Sequence, residues 1–363
     1  MSKVDPVRKK ILRASWKAVQ TCGVLLRMLW PAKKFAIWYG GARPGNIGGP
    51  LVKVKRLIQF FPQEYLGFSH VYLLSNTPYL SKIALRFLKY KKIPIILNQN
   101  GVYYGAWYDG NWEAKNREMA NAWHSADYVF CQSEFCFLCA EKYLGQRNGR
   151  TEILFNAVDI NRFRPRDFKE NCNSIVFLLT GKIDNHLYYR LDITLRSFAL
   201  ARSQGLNGIL KISGWIAEDA RRQMADLIKE LGVEDYVICT GAYSQEDAPV
   251  IYQSADVYVM LKHNDPCPNT VLEAMACGLP VLYSKSGGVP ELVTPTAGIG
   301  VDVRQSFEEV CIPEVEDIAR GMLDICEDLE ARGRAARARA VEAFNLNNWI
   351  NRHREVFEEL ARN

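Results

Sequence analysis

The familiar nucleotide-binding loops are missing from this sequence of 363 residues. It contains no Gly-x-Gly-x-x-Gly, no Gly-x-x-x-x-Gly-Lys-Ser/Thr, and no Asp-x-Asp pair to hold a divalent metal, so a dehydrogenase or a P-loop ATPase loses ground. Histidine is scarce, and none of the five histidines pairs with another at metal-ligand spacing. Long apolar runs are also lacking: Arg13, Lys17 and Arg27 interrupt any stretch near the roughly 20 apolar residues a bilayer-spanning helix needs. The ten cysteines are scattered, and the first residues show neither the apolar core nor the small-residue cleavage site of a signal peptide. A reducing, cytoplasmic compartment is expected. With 48% hydrophobic and 24% charged residues the composition excludes disorder and low complexity, and the length predicts two domains.

Charge is concentrated at one end. Met1–Lys34 holds nine Lys/Arg against the single Asp5, a balance of +8, whereas the whole chain carries +6 and residues 35–363 therefore −2. On a helical wheel Lys10, Arg13, Lys17 and Arg27 fall on one side, and Leu12, Trp16, Val19, Leu26 and Trp30 on the other. A nucleic-acid binder would spread its cations over a folded face, so no nucleic-acid partner is expected. Two readings stay open: residues 8–30 lie on an anionic membrane surface, or the helix docks on its own domain with a solvated basic face.

From Lys34 onward short apolar runs alternate with amphipathic stretches. Phe35–Tyr39, Val71–Leu74, Ile93–Leu97 and Tyr128–Cys131 read as buried strands. After a polar, basic stretch at residues 156–171 the grammar restarts with Ile175–Leu179, Gly208–Ile212, Tyr236–Cys239, Val257–Leu261, Pro280–Tyr283 and Gly298–Val301. This is α/β alternation with parallel sheets. The predicted domains are a basic amphipathic segment 1–34, an N-terminal Rossmann-like domain 35–165, a C-terminal Rossmann-like domain 166–345, and a helix 346–363 packing back on the N-terminal domain. Residues 313–363 should supply two or three surface helices.

The most informative stretch is Asp265-Pro-Cys-Pro-Asn269-Thr270-Val-Leu-Glu273-Ala-Met-Ala-Cys-Gly278-Leu-Pro280, followed by Ser286-Gly287-Gly288-Val-Pro290-Glu291. Thr270 and Glu273 have capping-box spacing, which predicts a helix starting at Thr270 with its N–H groups available to a diphosphate. Gly287 and Gly288 read as a strand-to-helix turn. Asp265-x7-Glu273 with these runs resembles the donor-site signature of retaining glycosyltransferases of the GT-B fold, family 4 (glycosyl transferases group 1), over about residues 35–361. The family has Glu at both ends of that spacing. Asn156-Ala-Val-Asp159 through Phe163-Arg-Pro165 resembles the interdomain segment, Gly181-Lys182 followed by Arg190 the basic pair with its two cations exchanged, and Gly48-Gly49-Pro50 the glycine loop under donor and acceptor.

The resemblance implies two doubly wound parallel-sheet domains facing a central crevice, and retaining transfer of a sugar from a nucleoside diphosphate without cofactor or metal. Glu273 would bind the donor ribose, Asp265 the sugar hydroxyls, and Lys182 with Arg190 the leaving diphosphate. Gly181, Tyr243, Asn269, Thr270, Gly48 and Gly49 would complete the donor site, with a UDP-sugar preferred. Asn98, Asn100, Tyr103, Tyr104 and Trp107 follow a strand end and are expected to bind a saccharide or lipid-linked acceptor. Each has a plainer alternative: Glu273 as a cap partner, Arg190 as a solvated helix charge, the aromatic tract as a lid packed on its own domain. Cys131, Cys136 and Cys139 read as buried free thiols. A role in cell-envelope polysaccharide or glycolipid synthesis is expected, peripheral to the inner face of the membrane. The rivals are a GT-B scaffold that binds nucleotide or saccharide without turnover and, less fitting, an epimerase or phosphorylase.

Overall fold

The computed structural model describes residues 6–27, 30–31, 33, 35–45, 49–76, 80–166 and 174–362. The chain divides into two compact units, one of residues 1–154 with 350–363 and one of residues 155–349.

The first unit holds a five-stranded parallel sheet in sequence order: β1 (Ile37–Trp38), β2 (His70–Leu74), β3 (Ile95–Gln99), β4 (Tyr128–Cys131) and β5 (Arg150–Ile153). Every residue of β2, β3 and β4 is buried, as continuous apolar runs require when helices cover both faces. Those helices are α1 (Pro6–Leu26), α2 (Gly49–Phe60), α3 (Lys82–Tyr90), α4 (Trp112–Ser125) and α5 (Glu134–Leu144). Ser81, Asn111 and Ser133 start three of them, each side-chain oxygen accepting from the N–H three residues on. β5 escapes a hydropathy reading because Arg-Thr-Glu-Ile is an edge strand held by polar contacts. Glu152 accepts from the Arg352 guanidinium and from the Tyr128 hydroxyl.

The second unit carries a six-stranded, all-parallel sheet ordered β11-β10-β9-β6-β7-β8. Its strands are β6 (Ile175–Thr180), β7 (Gly208–Ser213), β8 (Val237–Gly241), β9 (Val257–Met260), β10 (Val281–Ser284) and β11 (Gly298–Val301). They alternate with α6 (Tyr189–Ser203), α7 (Glu218–Glu230), α8 (Ala248–Gln253), α9 (Asn269–Ala276) and α10 (Val289–Leu292), followed by α11 (Val315–Glu327) and α12 (Leu329–Ala343). Strand order runs one way from β6 to β8 and the other way from β9 to β11. The β6/β9 boundary is therefore a topological switch point, the place where open α/β sheets bind ligands beyond their strand ends. One core lies on each face of the sheet.

Two expected boundaries move. The divide falls after Leu154 and not after 165, because the segment that follows is committed to the second unit. Asn156 Nδ2 donates to the Cys267 carbonyl at 2.9 Å, Phe163 packs edge-on against Tyr252, and Arg166 pairs with Asp256 at 2.5 Å. The return to the first unit falls at Ile350, inside α13 (Leu346–Leu360), and not at 346. His353, Val356 and Phe357 of that helix are fully buried, and Tyr72 shares a 2.9 Å hydrogen bond with His353. α11 is also more than a surface helix: Ile318, Ala319, Met322 and Ile325 belong to one face's core.

Candidate active site

The switch point collects polar side chains that are far apart in sequence. At the end of β6, Thr180 Oγ1 lies 3.0 Å from the Tyr258 hydroxyl and 3.4 Å from that of Tyr252. Tyr252, itself fully buried on α8, donates to Glu273 Oε2 at 3.0 Å. Burial pushes the Tyr252 and Tyr258 phenols up, and holds Tyr243 up at about 12, with the Glu273 charge adding to each shift. All three thus remain protonated at neutral pH and can donate. A half-buried carboxylate held by a buried donor has a fixed direction, which a ligand hydroxyl can use.

Arg190 reaches the same place. It is 4% exposed in the first turn of α6, its Nη2 donates to the Thr180 carbonyl at 3.1 Å, and its Nε is buried without a hydrogen-bond partner. Arg190 is therefore not a solvated helix charge. Gly181 has a φ of +134°, and a Cβ there would sit 3.4 Å from Arg190 Nη1. Backbone geometry and the neighbouring guanidinium together favour glycine at this turn.

α9 starts one residue earlier than its sequence suggests, at Asn269, with Pro268 as cap and no side-chain cap bond. The Thr270–Glu273 capping box does not form, because the Glu273 side chain is turned to Tyr252. Asn269 Oδ1 is buried without a partner.

Asp265 is held separately. Lys262 Nζ lies 2.8 Å from its Oδ2, and the Cys267 N–H donates to Oδ1 at 3.2 Å. The preceding Asn264 adopts the left-handed φ of +50°, tied by its N–H to Ser286 Oγ. Gly287 and Gly288 do more than turn the chain. Gly288 N–H donates to the Asp265 carbonyl at 3.0 Å, and a Cβ on Gly287 would come within 2.6 Å of that oxygen. Lys182 is not gathered into this cluster. Its side chain is 61% exposed, 3.5 Å from Asp184 and over the Trp215 ring.

In the first unit, Asn98 and Asn100 end β3 around a buried cation. Lys53 Nζ of α2 donates to Asn98 Oδ1 at 2.6 Å and to Asn100 Oδ1 at 3.1 Å, and Gln132 donates to both. Asn116 clamps the Tyr103 backbone with bonds of 2.9 and 2.7 Å. Tyr103 meets Tyr108 edge-on, Tyr104 is buried beside Tyr143, and Trp107 is 42% exposed. The tract is thus a packed aromatic base with an exposed indole. Gly49 begins α2, whereas Gly48 lies outside the described residues. Cys131, Cys136 and Cys139 are free and buried.

Sequence reading missed Thr180, Tyr252, Lys262, Lys53 and Gln132. Tyr252 sits at core spacing in a short helix, and Lys53 reads as one of several cations on an amphipathic one. Only Lys262, three residues before Asp265, had a positional signal.

Residues 162–339 match the family Glycosyl transferases group 1, spanning β6 to β11 and the whole Glu273 cluster. The match covers just under half of the chain. The chain is 30% identical over 127 residues to the mannosylfructose-phosphate synthase of Agrobacterium fabrum, an alignment covering 35% of the chain and 26% of that protein. It is 31% identical over 151 residues to a D-inositol 3-phosphate glycosyltransferase of Saccharomonospora viridis, covering 38% and 34%. The chain spans about a third or less of the length of these curated relatives. Among solved structures, HepE of Anabaena in complex with UDP superposes with a TM-score of 0.64 at 18% identity, covering 86% of this chain and 82% of that one. Sucrose-phosphate synthase of Thermosynechococcus elongatus gives 0.63 at 19%, covering 81% and 74%. The two parallel-sheet units have the GT-B fold.

Proposed function

We propose that the chain transfers a sugar from a nucleoside diphosphate sugar to a saccharide or lipid-linked acceptor, with retention at the anomeric carbon and without a metal. The observation that carries this is a Tyr252-held Glu273 carboxylate and a buried Arg190 guanidinium, both linked to Thr180 at a switch point. Glu273 accepts from donor ribose hydroxyls. Arg190, with an unsatisfied Nε, and the N–H groups opening α9 stabilise the diphosphate as it leaves. Asp265, its charge balanced by Lys262, orients the sugar and supports positive charge developing at the anomeric carbon. Lys182, exposed on its turn, swings to the diphosphate only when donor is bound. Asn98, Asn100 and the Tyr103–Trp107 tract hold the acceptor. The donor is a UDP-sugar, as suits a chain whose fold is shared with a UDP complex. The setting is cell-envelope polysaccharide or glycolipid synthesis on the inner face of the membrane.

A thermal-shift panel of UDP, GDP, ADP and their sugar conjugates tests the donor site. A ligand at 100 times its Kd should stabilise the fold by about 2.7 kcal/mol. UDP conjugates should raise Tm in the native protein and much less in Arg190→Ala. No rise with any nucleotide refutes the donor reading and leaves the saccharide-binding scaffold.

A further inference from the structure

The first helix docks on its own unit through its basic side, and of the residues expected on its apolar side Trp16 takes part in the docking while Leu12, Val19, Leu26 and Trp30 stay exposed. Gln20 and Val24 are buried, Trp16 Nε1 donates to the Gly41 carbonyl at 3.2 Å, and Lys17 pairs with Glu118 at 2.8 Å. Thr21 bonds Ser81 at 3.0 Å, and the Arg27 guanidinium donates twice to the Phe68 carbonyl. These contacts fix the helix rotation and turn the opposite face outward. That face carries Ile11, Leu12, Val19, Cys22, Leu25 and Leu26, with the small Ser15 and Ala18 between them, all exposed and recurring at helical spacing without one charge among them. Ile11 and Leu12 are each 60% exposed, Val19 57% and Leu26 54%. A soluble helix normally buries such a stripe, so its exposure demands an occupant.

Charge identifies which. α1 contains five Lys/Arg and the α3 it packs on contains three, and neither has an acidic residue. Arg13, Lys82 and Arg86 are exposed. An apolar stripe within an all-cationic pair of helices complements a surface that is apolar beneath and anionic above. We infer that α1 lies in the interface of an anionic lipid bilayer, with the Ile11–Leu26 stripe among the acyl chains and the cations at the headgroups. No helix among the described residues is long and apolar enough to cross a membrane, which is what a helix lying in the plane requires. The same helix flanks the aromatic tract, since the Arg13 charge acts on Tyr103 and Lys17 grips Glu118 on α4. An acceptor carried by a lipid would thus emerge from the bilayer next to Tyr103 and Trp107. That last step rests on the proposed acceptor site, whereas the docking surface does not depend on the reaction.

The test is sedimentation of the full chain with vesicles of phosphatidylcholine alone and of phosphatidylcholine mixed with phosphatidylglycerol. The protein should bind the anionic vesicles and bind the neutral ones far less. Leu12→Glu/Leu26→Glu should keep its Tm, because both side chains are exposed, and should bind about a hundredfold more weakly, about tenfold for each side chain. A polarity-sensitive dye on Cys22, with Cys172 and Cys239 replaced by serine, should be quenched by acyl-chain nitroxides. Absent vesicle binding, or equal binding by the double variant, overturns the inference. So does a native dimer that the double variant converts to monomer without dye quenching, which would give the stripe to a second copy. None of these readouts involves nucleotide or turnover, so failure here leaves the donor reading untouched.

Discussion

Replacing Tyr252 with phenylalanine separates what the tyrosine does for the core from what it does for Glu273. The ring stays, so the edge-on packing against Phe163 and the contact with Tyr258 survive. What disappears is a hydroxyl donating to Glu273 Oε2 at 3.0 Å and lying 3.4 Å from Thr180 Oγ1. A hydrogen bond to a charged group contributes about 1.5–3 kcal/mol, so about 2 kcal/mol of stability should go. For a unit spanning residues 155–349 that is a fall in Tm of about 4–8 °C. The second effect is on binding. A carboxylate released from its donor must be immobilised again by ligand, at about 1 kcal/mol per side chain, which weakens binding about fivefold. Calorimetric titration with the donor gives the second quantity and differential scanning calorimetry the first. A lowered Tm with an unchanged Kd would refute the positioning role and return Tyr252 to the core. An unchanged Tm would refute the hydrogen bond itself.

Asp265→Asn should keep nucleotide affinity within a few fold while abolishing turnover, and equal function in the variant would favour the non-catalytic scaffold. Gly287→Ala combines a φ of +66° with a backbone clash at the Asp265 carbonyl, so it should cost more than about 2 kcal/mol and weaken donor binding, measured by denaturant titration and calorimetry. Gly232→Ala, with a similar φ and open space around it, is the control and should cost only about 1–2 kcal/mol. Burial lowers the imidazole pKa of His70 and His263, partly offset by their bonds to the carbonyls of Phe357 and of Ser306 and Cys311. The folded protein then binds fewer protons than the unfolded one. The contribution is complete above about pH 6.5 and is lost as pH falls through the folded values, so Tm should drop on mild acidification, less in His70→Gln. A Tm flat across that range contradicts it.

Parallel strands were legible because burial on both faces fills their middles with apolar side chains. Val257–Met260 and Tyr128–Cys131 need no partner to be recognised. β5 was not legible, since Arg150–Ile153 is a strand through its backbone pairing with β4, and the partner of its Glu152 is Arg352, some 200 residues away. Glu273 was found through its setting, but its local pattern misled. Thr270 and Glu273 have the spacing of a cap, and spacing alone cannot reveal that a tyrosine on another helix is the stronger partner. The helical wheel likewise separated the two faces of α1 without saying which one the domain takes, because that choice was made by hydrogen bonds to Gly41, Ser81, Phe68 and Glu118.

The first unit is built from two distant pieces of chain, and this sets an order of events during synthesis. Its core needs His353 and Phe357, whose ring meets Phe61 and Tyr72 edge-on. Those residues leave the ribosome only after the entire second unit, about 195 residues later, a delay of about 10–40 s at ordinary translation rates. The second unit, continuous from residue 155 to 349, can close its sheet while the first still waits for its last helix. The half of the molecule that is made first is therefore finished last.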